Sequence, residues 1–196
     1  MKRILSLFLS FMSFFIVNAG TIQKGYHGFA DVGYCYCDAS LDPTTIDIST
    51  SHGYQFSPYI FLGAGIGFDF TGTAEFGNVE GLPLQKREAM VDIPVFFNGR
   101  LNFTKTKVVP FLDLKAGAYV NNGSGLYTNF MVGCRFPLTD NSGLSVSFGM
   151  KGTSMTIQNL EMTSGNKYNG YKYSFYYEDE KNHQFTYYVL KIGYDF

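Results

Sequence analysis

The amino-acid sequence predicts an all-β chain folded as an eight-stranded antiparallel up-and-down barrel, transmembrane, with a polar filled interior. Three observations carry that prediction. Segments of ten or so residues alternate between large apolar and small or polar side chains, the period-two signature of strands with two unlike faces. Eight such segments recur, joined alternately by longer and shorter connections, as in an up-and-down meander. The composition is 20 Phe, 15 Tyr and 22 Gly with no Trp, and past the N-terminal segment no apolar stretch is long enough for a spanning helix.

The start of the chain lies outside this pattern. Lys2 and Arg3 precede a 14-residue run without charge, Ile4 to Val17, and Val17-Asn18-Ala19 offers small residues at the two positions a signal peptidase reads. This predicts a secretory signal over residues 1–19, with residues 20–196 forming one barrel domain. Without Lys2 and Arg3 the chain carries 13 basic and 16 acidic residues. That balance excludes a basic nucleic-acid surface.

The first strand is expected at about Tyr26–Tyr36, with Tyr26, Ala30, Val32, Tyr34 and Tyr36 on one face and His27, Asp31, Gly33 and Cys35 on the other; Phe29 is an apolar exception on the polar side. The second, Ile46–Phe56, sets Ile46, Ile48, His52, Tyr54 and Phe56 against Asp47, Ser49, Ser51 and Gln55. A tight turn at Ser57-Pro58 leads to the third, Tyr59–Phe70, whose polar face runs Gly63, Gly65, Gly67, Asp69. Successive inward glycines suit a narrow barrel in which bulky neighbours need room. Residues 71–88 read as a loop. The fourth strand, Ala89–Phe103, turns Asp92, Phe96, Asn98, Arg100 and Asn102 inward, and Pro94 within it predicts a bulge or an unpaired amide. The fifth, Val108–Val120, turns Asp113, Lys115 and Gly117 inward; the sixth, Leu126–Phe136, does so with Asn129, Gly133 and Arg135; the seventh, Leu144–Thr153, with Ser145, Ser147, Gly149 and Lys151. Residues 154–182 form the longest connection, with its own alternation at Tyr171, Tyr173, Phe175 and Tyr177. This reads as a strand pair projecting beyond the barrel or as an aromatic loop. The eighth strand is Tyr188–Phe196.

Eight-stranded meanders come in two mirror-image forms, a cup with its apolar face inward around a ligand and a membrane barrel with that face outward. Here the polar face is rich in glycine and charge, and the apolar face repeats large Phe, Leu and Ile, so the membrane form is expected. Asp31, Asp92, Arg100, Asp113, Lys115, Arg135, Lys151 and Lys191 are then an interior charge network that fills the lumen. If Phe103 faces Val108, Asn98 faces Asp113 and Arg100 sits one diagonal away; closure of the eighth strand on the first brings Lys191 to Asp31. Short turns after the second, fourth and sixth strands put both termini on the periplasmic side.

The last strand carries Tyr188, Leu190, Ile192, Tyr194 and Phe196 on one face. It resembles the C-terminal assembly signal of bacterial outer-membrane barrels, which implies the barrel-assembly machinery and outer-membrane lipid or lipopolysaccharide as partners. Across the mature chain, Gly28-Phe-Ala-Asp-Val-Gly-Tyr34, Ile48-Ser-Thr-Ser-His-Gly-Tyr-Gln-Phe56, Phe61-Leu-Gly-Ala-Gly65, Ile93-Pro-Val95 and Pro110-Phe-Leu-Asp-Leu-Lys-Ala-Gly117 resemble the small OmpA/OmpX-type barrels, most of all the outer membrane beta-barrel domain family common in Bacteroidetes. The resemblance implies an integral outer-membrane protein of Gram-negative cells, monomeric, and no reaction.

Catalytic and metal chemistry find little footing. Some eight-stranded barrels act on lipid A, yet no His-x-Ser pair occurs, Ser49 and Ser51 point away from His52, and His27 and His183 have no evident nucleophile. Cys35 and Cys37 share a face, but two thiols without further ligands make a weak soft-metal site, and Cys134 lies on the apolar face; all three read as small fillers, and no cofactor is expected. The candidate contact region is the 154–182 connection, where Tyr168, Tyr171, Tyr173, Phe175 and Tyr177 would either anchor an extracellular protein or surface ligand or form the upper interfacial girdle. A structural or surface-interaction role is therefore expected, with ligand binding or small-molecule transport as the alternative.

Overall fold

The computed structural model describes residues 23–37, 44–78, 81–105, 107–121, 125–139, 142–167 and 170–196; the expected signal segment 1–19 and Tyr168 lie outside them. The strands are β1 (Gly25–Tyr36), β2 (Thr45–Ser57), β3 (Ile60–Thr71), β4 (Ala74–Phe76), β5 (Gln85–Arg87), β6 (Met90–Asp92), β7 (Pro94–Asn102), β8 (Val109–Tyr119), β9 (Leu126–Pro137), β10 (Gly143–Lys167) and β11 (Gly170–Asp195). The order β11-β1-β2-β3-β7-β8-β9-β10, with β10 paired back to β11, is a closed antiparallel ring of eight walls in which β6 extends β7 along β3. Closure leaves the ring without an edge.

Ring closure is a continuous ladder. Ala30 faces Tyr194, Val32 faces Ile192, Tyr34 faces Leu190 and Tyr36 faces Tyr188, so apolar pairs from both strands stand on the outer face. The amide of Gly28 donates to the Phe196 carbonyl at 2.8 Å and Phe196 returns the bond at 3.0 Å. Along β2 exposure alternates residue by residue, with Thr45, Asp47, Ser49 and Ser51 buried and Ile46 and Ile48 exposed. The glycine track of β3 works as expected: a Cβ on Gly65 would lie 2.6 Å from the Phe96 ring. Phe29, the apolar exception, is indeed interior and meets Phe61 edge to face at 4.7 Å between ring centroids.

Four expectations need correction. The fourth strand is divided into β6 and β7 at Ile93. Pro94 offers no amide to the ladder, and the Asn121 side chain takes over locally, accepting from the Ile93 amide at 2.7 Å and donating to the Val91 carbonyl at 2.7 Å. The 71–88 stretch is not only loop, because β4 and β5 pair as a hairpin and β5 joins β10 through Gln158–Lys86 and Asn159–Gln85. The seventh and eighth strands run far beyond Thr153 and before Tyr188, since the 154–182 connection is itself a strand pair, β10 against β11 as far as Lys167–Gly170. Finally, the β7–β8 register differs by two residues from the expected one: Arg100 faces Asp113 and Asn98 faces Lys115. The turn is wider than assumed, with the Phe103 amide donating to Pro110 at 2.9 Å. A two-residue shift keeps every side chain on its expected face.

Candidate functional site

The barrel interior is a stack of ion pairs, and the walls determine which charges meet. Nearest the short turns, Arg135 is bonded through Nε to Asp195, and His27 Nε2 stands 3.9 Å from the same carboxylate. Above them Arg100 Nε donates to Asp113 at 2.7 Å and Asn98 donates to the other carboxylate oxygen at 3.0 Å. The Arg100 guanidinium is sandwiched 3.8 Å from the Phe29 ring centroid and 4.3 Å from that of Phe111, a desolvated cation–π arrangement.

The next bridges cross the lumen. Lys115 on β8 reaches Asp31 on β1 at 2.7 Å and Ser49 on β2 at 3.1 Å. Lys151 on β10 reaches Asp47 on β2 at 3.1 Å and Asp69 on β3 at 2.5 Å, and Lys191 reaches Asp47 at 2.9 Å. The Tyr119 hydroxyl donates to Asp69 at 2.7 Å. At the long-connection end Arg87 pairs with Asp92 at 2.7 Å. Among the described residues the buried interior holds six carboxylates (Asp31, Asp47, Asp69, Asp92, Asp113, Asp195) and six Lys or Arg (Arg87, Arg100, Lys115, Arg135, Lys151, Lys191). The two sets balance, as burial of charge requires.

All eight predicted network residues are thus interior, but one predicted partnership is wrong. Lys191 meets Asp47, not Asp31. Gly33 lies opposite Lys191 on one side and opposite Asp47 on the other, and its missing side chain lets the Lys191 stem pass over it; a Cβ there would be 2.9 Å from Lys191 Cγ. Asp31 faces Gly193 and Ser49, which frees it for Lys115. The prediction also left Arg87 outside the network, because its stretch shows no alternation, and it did not anticipate Asp47 as the acceptor of two ammonium groups. Aromatic rings occupy the remaining interior volume. Phe96 stacks on Tyr127 at 5.3 Å and Tyr119 meets Tyr127 edge-on at 5.7 Å.

The outer face carries the opposite chemistry. Phe97 is 78% exposed, Phe148 65% and Ile192 63%. Ala30, a small residue of this belt, leaves an apolar groove of about 590 Å³ flanked by Val32, Ile48, Ile66, Phe68 and Ile192. Of the predicted assembly face, Tyr188, Leu190, Ile192, Tyr194 and Phe196 are all exposed. His52 belongs to the same end: Tyr26 Oη lies 2.5 Å from its Nδ1, Thr50 Oγ1 3.0 Å from its Nε2, and the Phe196 ring 5.9 Å away. Its surroundings include the Tyr26 and Phe196 rings.

Beyond the barrel, the β10–β11 ladder changes phase. Met155 pairs with His183, but Ile157 pairs with Glu180, so β11 carries one extra residue. Past this bulge Tyr177 stands opposite Leu160 and Tyr176 opposite Glu161. Tyr177 is half-buried; its hydroxyl donates to the Pro83 carbonyl at 3.0 Å and Lys86 Nζ stands 4.1 Å over its ring. Phe175 is half-buried too. The backbone of Tyr171 and Tyr173 pairs with Asn166 and Ser164. Among the side chains described there, Tyr176 is exposed, at 50%, and it lies outside the predicted alternation.

No family model matches the chain, and no curated protein does. Among solved structures it is similar to a crystal structure of Neisserial surface protein A (NspA), at 15% identity and a TM-score of 0.45, over 87% of this chain and 96% of that one. A solution NMR structure of the de novo designed TMB2.3 is similar at 16% identity and a TM-score of 0.39, over 87% of this chain and 94% of that one.

Proposed function

We propose that this protein is an integral outer-membrane β-barrel that acts through the strand pair it projects from the cell surface, and that its barrel is a closed anchor and not a pore. The observation that carries the reading is the opposition of the two faces: an apolar belt outside, and paired charges with aromatic rings inside. A soluble barrel would leave its charges in water and bury its belt; the reverse is stable where hydrocarbon surrounds the wall. Eight walls enclose a space that side chains fill, and bridges such as Lys115–Asp31 and Lys151–Asp47 cross it. The same features support the OmpA/OmpX-like reading over wider, conducting barrels, and they disfavour small-molecule transport.

In this reading the short turns and both termini face the periplasm. The β10–β11 pair, buttressed by β4–β5, faces outward and meets an extracellular protein or surface ligand, with lipopolysaccharide around the belt. The ring closes within one chain, which is what a monomer requires. Phe196, bonded to Gly28 and packed by His52, completes the seam recognised during assembly.

The test has three parts. Purified protein in detergent should migrate differently on gels before and after heating; unchanged migration refutes the membrane barrel. Planar bilayers containing it should show no stepwise conductance, and steady single-channel openings refute the closed lumen. Replacing residues 168–177 by a Gly/Ser segment should abolish attachment of the expressing cells to their surface ligand with the heat shift intact; retained attachment refutes the role of the projecting pair.

A further inference from the structure

Cys35 and Cys37 lie two residues apart on one face at the long-connection end of β1, Cys37 just past its last residue. Both are buried, at 0% and 4% exposure, and all three cysteines of the chain are thiols with no disulfide among them. From sequence, two such thiols lack a third ligand. The fold brings one: Met131 of β9, three walls round the ring through β11 and β10, falls in the same buried cluster, walled by Tyr187 and Val189 with Phe185 packed against it.

We propose that Cys35, Cys37 and Met131 form a binding site for a single copper(I) ion inside the mouth of the barrel. Alternate residues of a strand are about 6.7 Å apart along the chain with parallel Cα–Cβ bonds. Two sulfurs leaning toward each other from that spacing reach the separation of about 4 to 4.5 Å that bonds of about 2.3 Å to one ion require. Two thiolates and a thioether are soft, polarisable donors, the set that selects copper(I) over the harder divalent ions. The low ligand number suits the same ion, since zinc would call for a fourth donor, and the wall here is Tyr187, Val189 and Phe185.

Binding exchanges two S–H bonds for two S–Cu bonds and releases two protons, with no change in the oxidation state of copper or sulfur. The resulting centre carries one negative charge. Asp47, which gathers the Lys151 and Lys191 ammonium groups, faces Gly33, two residues below Cys35; with Asp69, also bonded to Lys151, the neighbouring cluster is balanced in charge, so the soft donors and not a surplus of cations would hold the ion. The site lies toward the outer mouth, where an ion from the medium first meets the barrel, so the barrel would sequester the metal at the surface instead of passing it through.

The experiment uses the folded full-length mature protein in detergent with Cys134→Ser, which removes the thiol on the outer face. Anaerobic titration with copper(I) against a chromophoric copper(I) chelator should give one ion per chain, and X-ray absorption should show sulfur-only coordination. Cys35→Ser/Cys37→Ser should weaken binding by a factor of about 100 or more, and Met131→Leu by about tenfold, if all three sulfurs bind. Heat-shifted migration reports folding of each variant; if the double serine variant does not fold, Met131→Leu, which keeps core volume, decides. Less than one-tenth equivalent bound by the parent protein overturns the proposal. So does affinity unchanged by Met131→Leu, and so do oxygen or nitrogen ligands in the absorption spectrum.

Discussion

The barrel wall and the β10–β11 extension are built from the same alternating sequence, yet they behave differently. In the wall each strand has a neighbour on both sides and two unlike media on its faces, so a one-residue slip would carry an Asp into the belt and a Phe into the lumen. Such slips are heavily penalised, and β1 pairs with β11 without interruption from Phe29 to Tyr36. Past Thr153 neither face has to be dry. There the ladder accepts an extra residue between His183 and Glu180, and tyrosines replace phenylalanines. Register is thus enforced by the contrast between the surroundings of the two faces, and propensity alone does not keep it.

The sharpest way to break this contrast is inside the wall. Asp47→Ala removes the carboxylate that Lys191 bonds and leaves Lys151 with Asp69. Stranding a buried charge costs about 3–5 kcal/mol, which urea unfolding of the protein in micelles would measure. Glu178→Ala, on the exposed extension, should change the same transition by less than about 0.5 kcal/mol.

The outer belt comes next. Phe97→Arg puts a cation where the side chain is 78% exposed. In water an exposed Phe→Arg exchange is nearly neutral; at mid-bilayer it costs about 2–4 kcal/mol. Equilibrium folding into lipid vesicles should show that penalty, with Tyr176→Arg on the extension showing almost none. Equal, small effects at both positions would remove the distinction between the regions. A smaller effect is expected at Gly65, where the added methyl of Gly65→Ala meets both the Thr50 carbonyl oxygen and the Phe96 ring at a cost of about 1–3 kcal/mol. Phe96→Leu should recover part of it, because the two changes share one contact.

Legibility in the sequence followed the same divide. Where two media oppose each other, the pattern was enough: eight wall segments, their inward residues and all eight network charges lie on the predicted faces. Pairing partners were less legible because they depend on turn width and on chains crossing a three-dimensional lumen. Asp31 finds Lys115 from the fifth segment, 84 residues away, and no local pattern encodes that. Arg87 was hidden in an irregular stretch and is defined only by β5 docking on β10. Met131 had no reason to be linked to Cys35 and Cys37 until the ring closed. In the extension the alternation is legible, but the bulge that rephases β11 relative to Tyr188 leaves no mark in the sequence of the segment.

The smallest expected effect tests whether the extension has a structure of its own. Tyr177→Phe keeps the ring under Lys86 and removes the bond from its hydroxyl to the Pro83 carbonyl, a loss of about 0.5–1.5 kcal/mol. Since the described residues of β4 and β5 reach β10 through two paired positions, the Gln85 side-chain bond to Asn159 at 3.0 Å and the Leu160 amide bond to Leu84 at 2.8 Å, so small a change should raise amide exchange or proteolytic nicking selectively around residues 81–87. The unfolding transition of the wall should not move, because the wall's ladders contain neither group. Coupled loss of both would mean that β4–β5 and the extension unfold with the barrel as one cooperative unit. The loss confined to 81–87 would mark the extension as a separately stable platform, rigid enough to present Tyr176 and its acidic neighbours Glu178 and Asp179 to a partner without drawing on the stability of the wall.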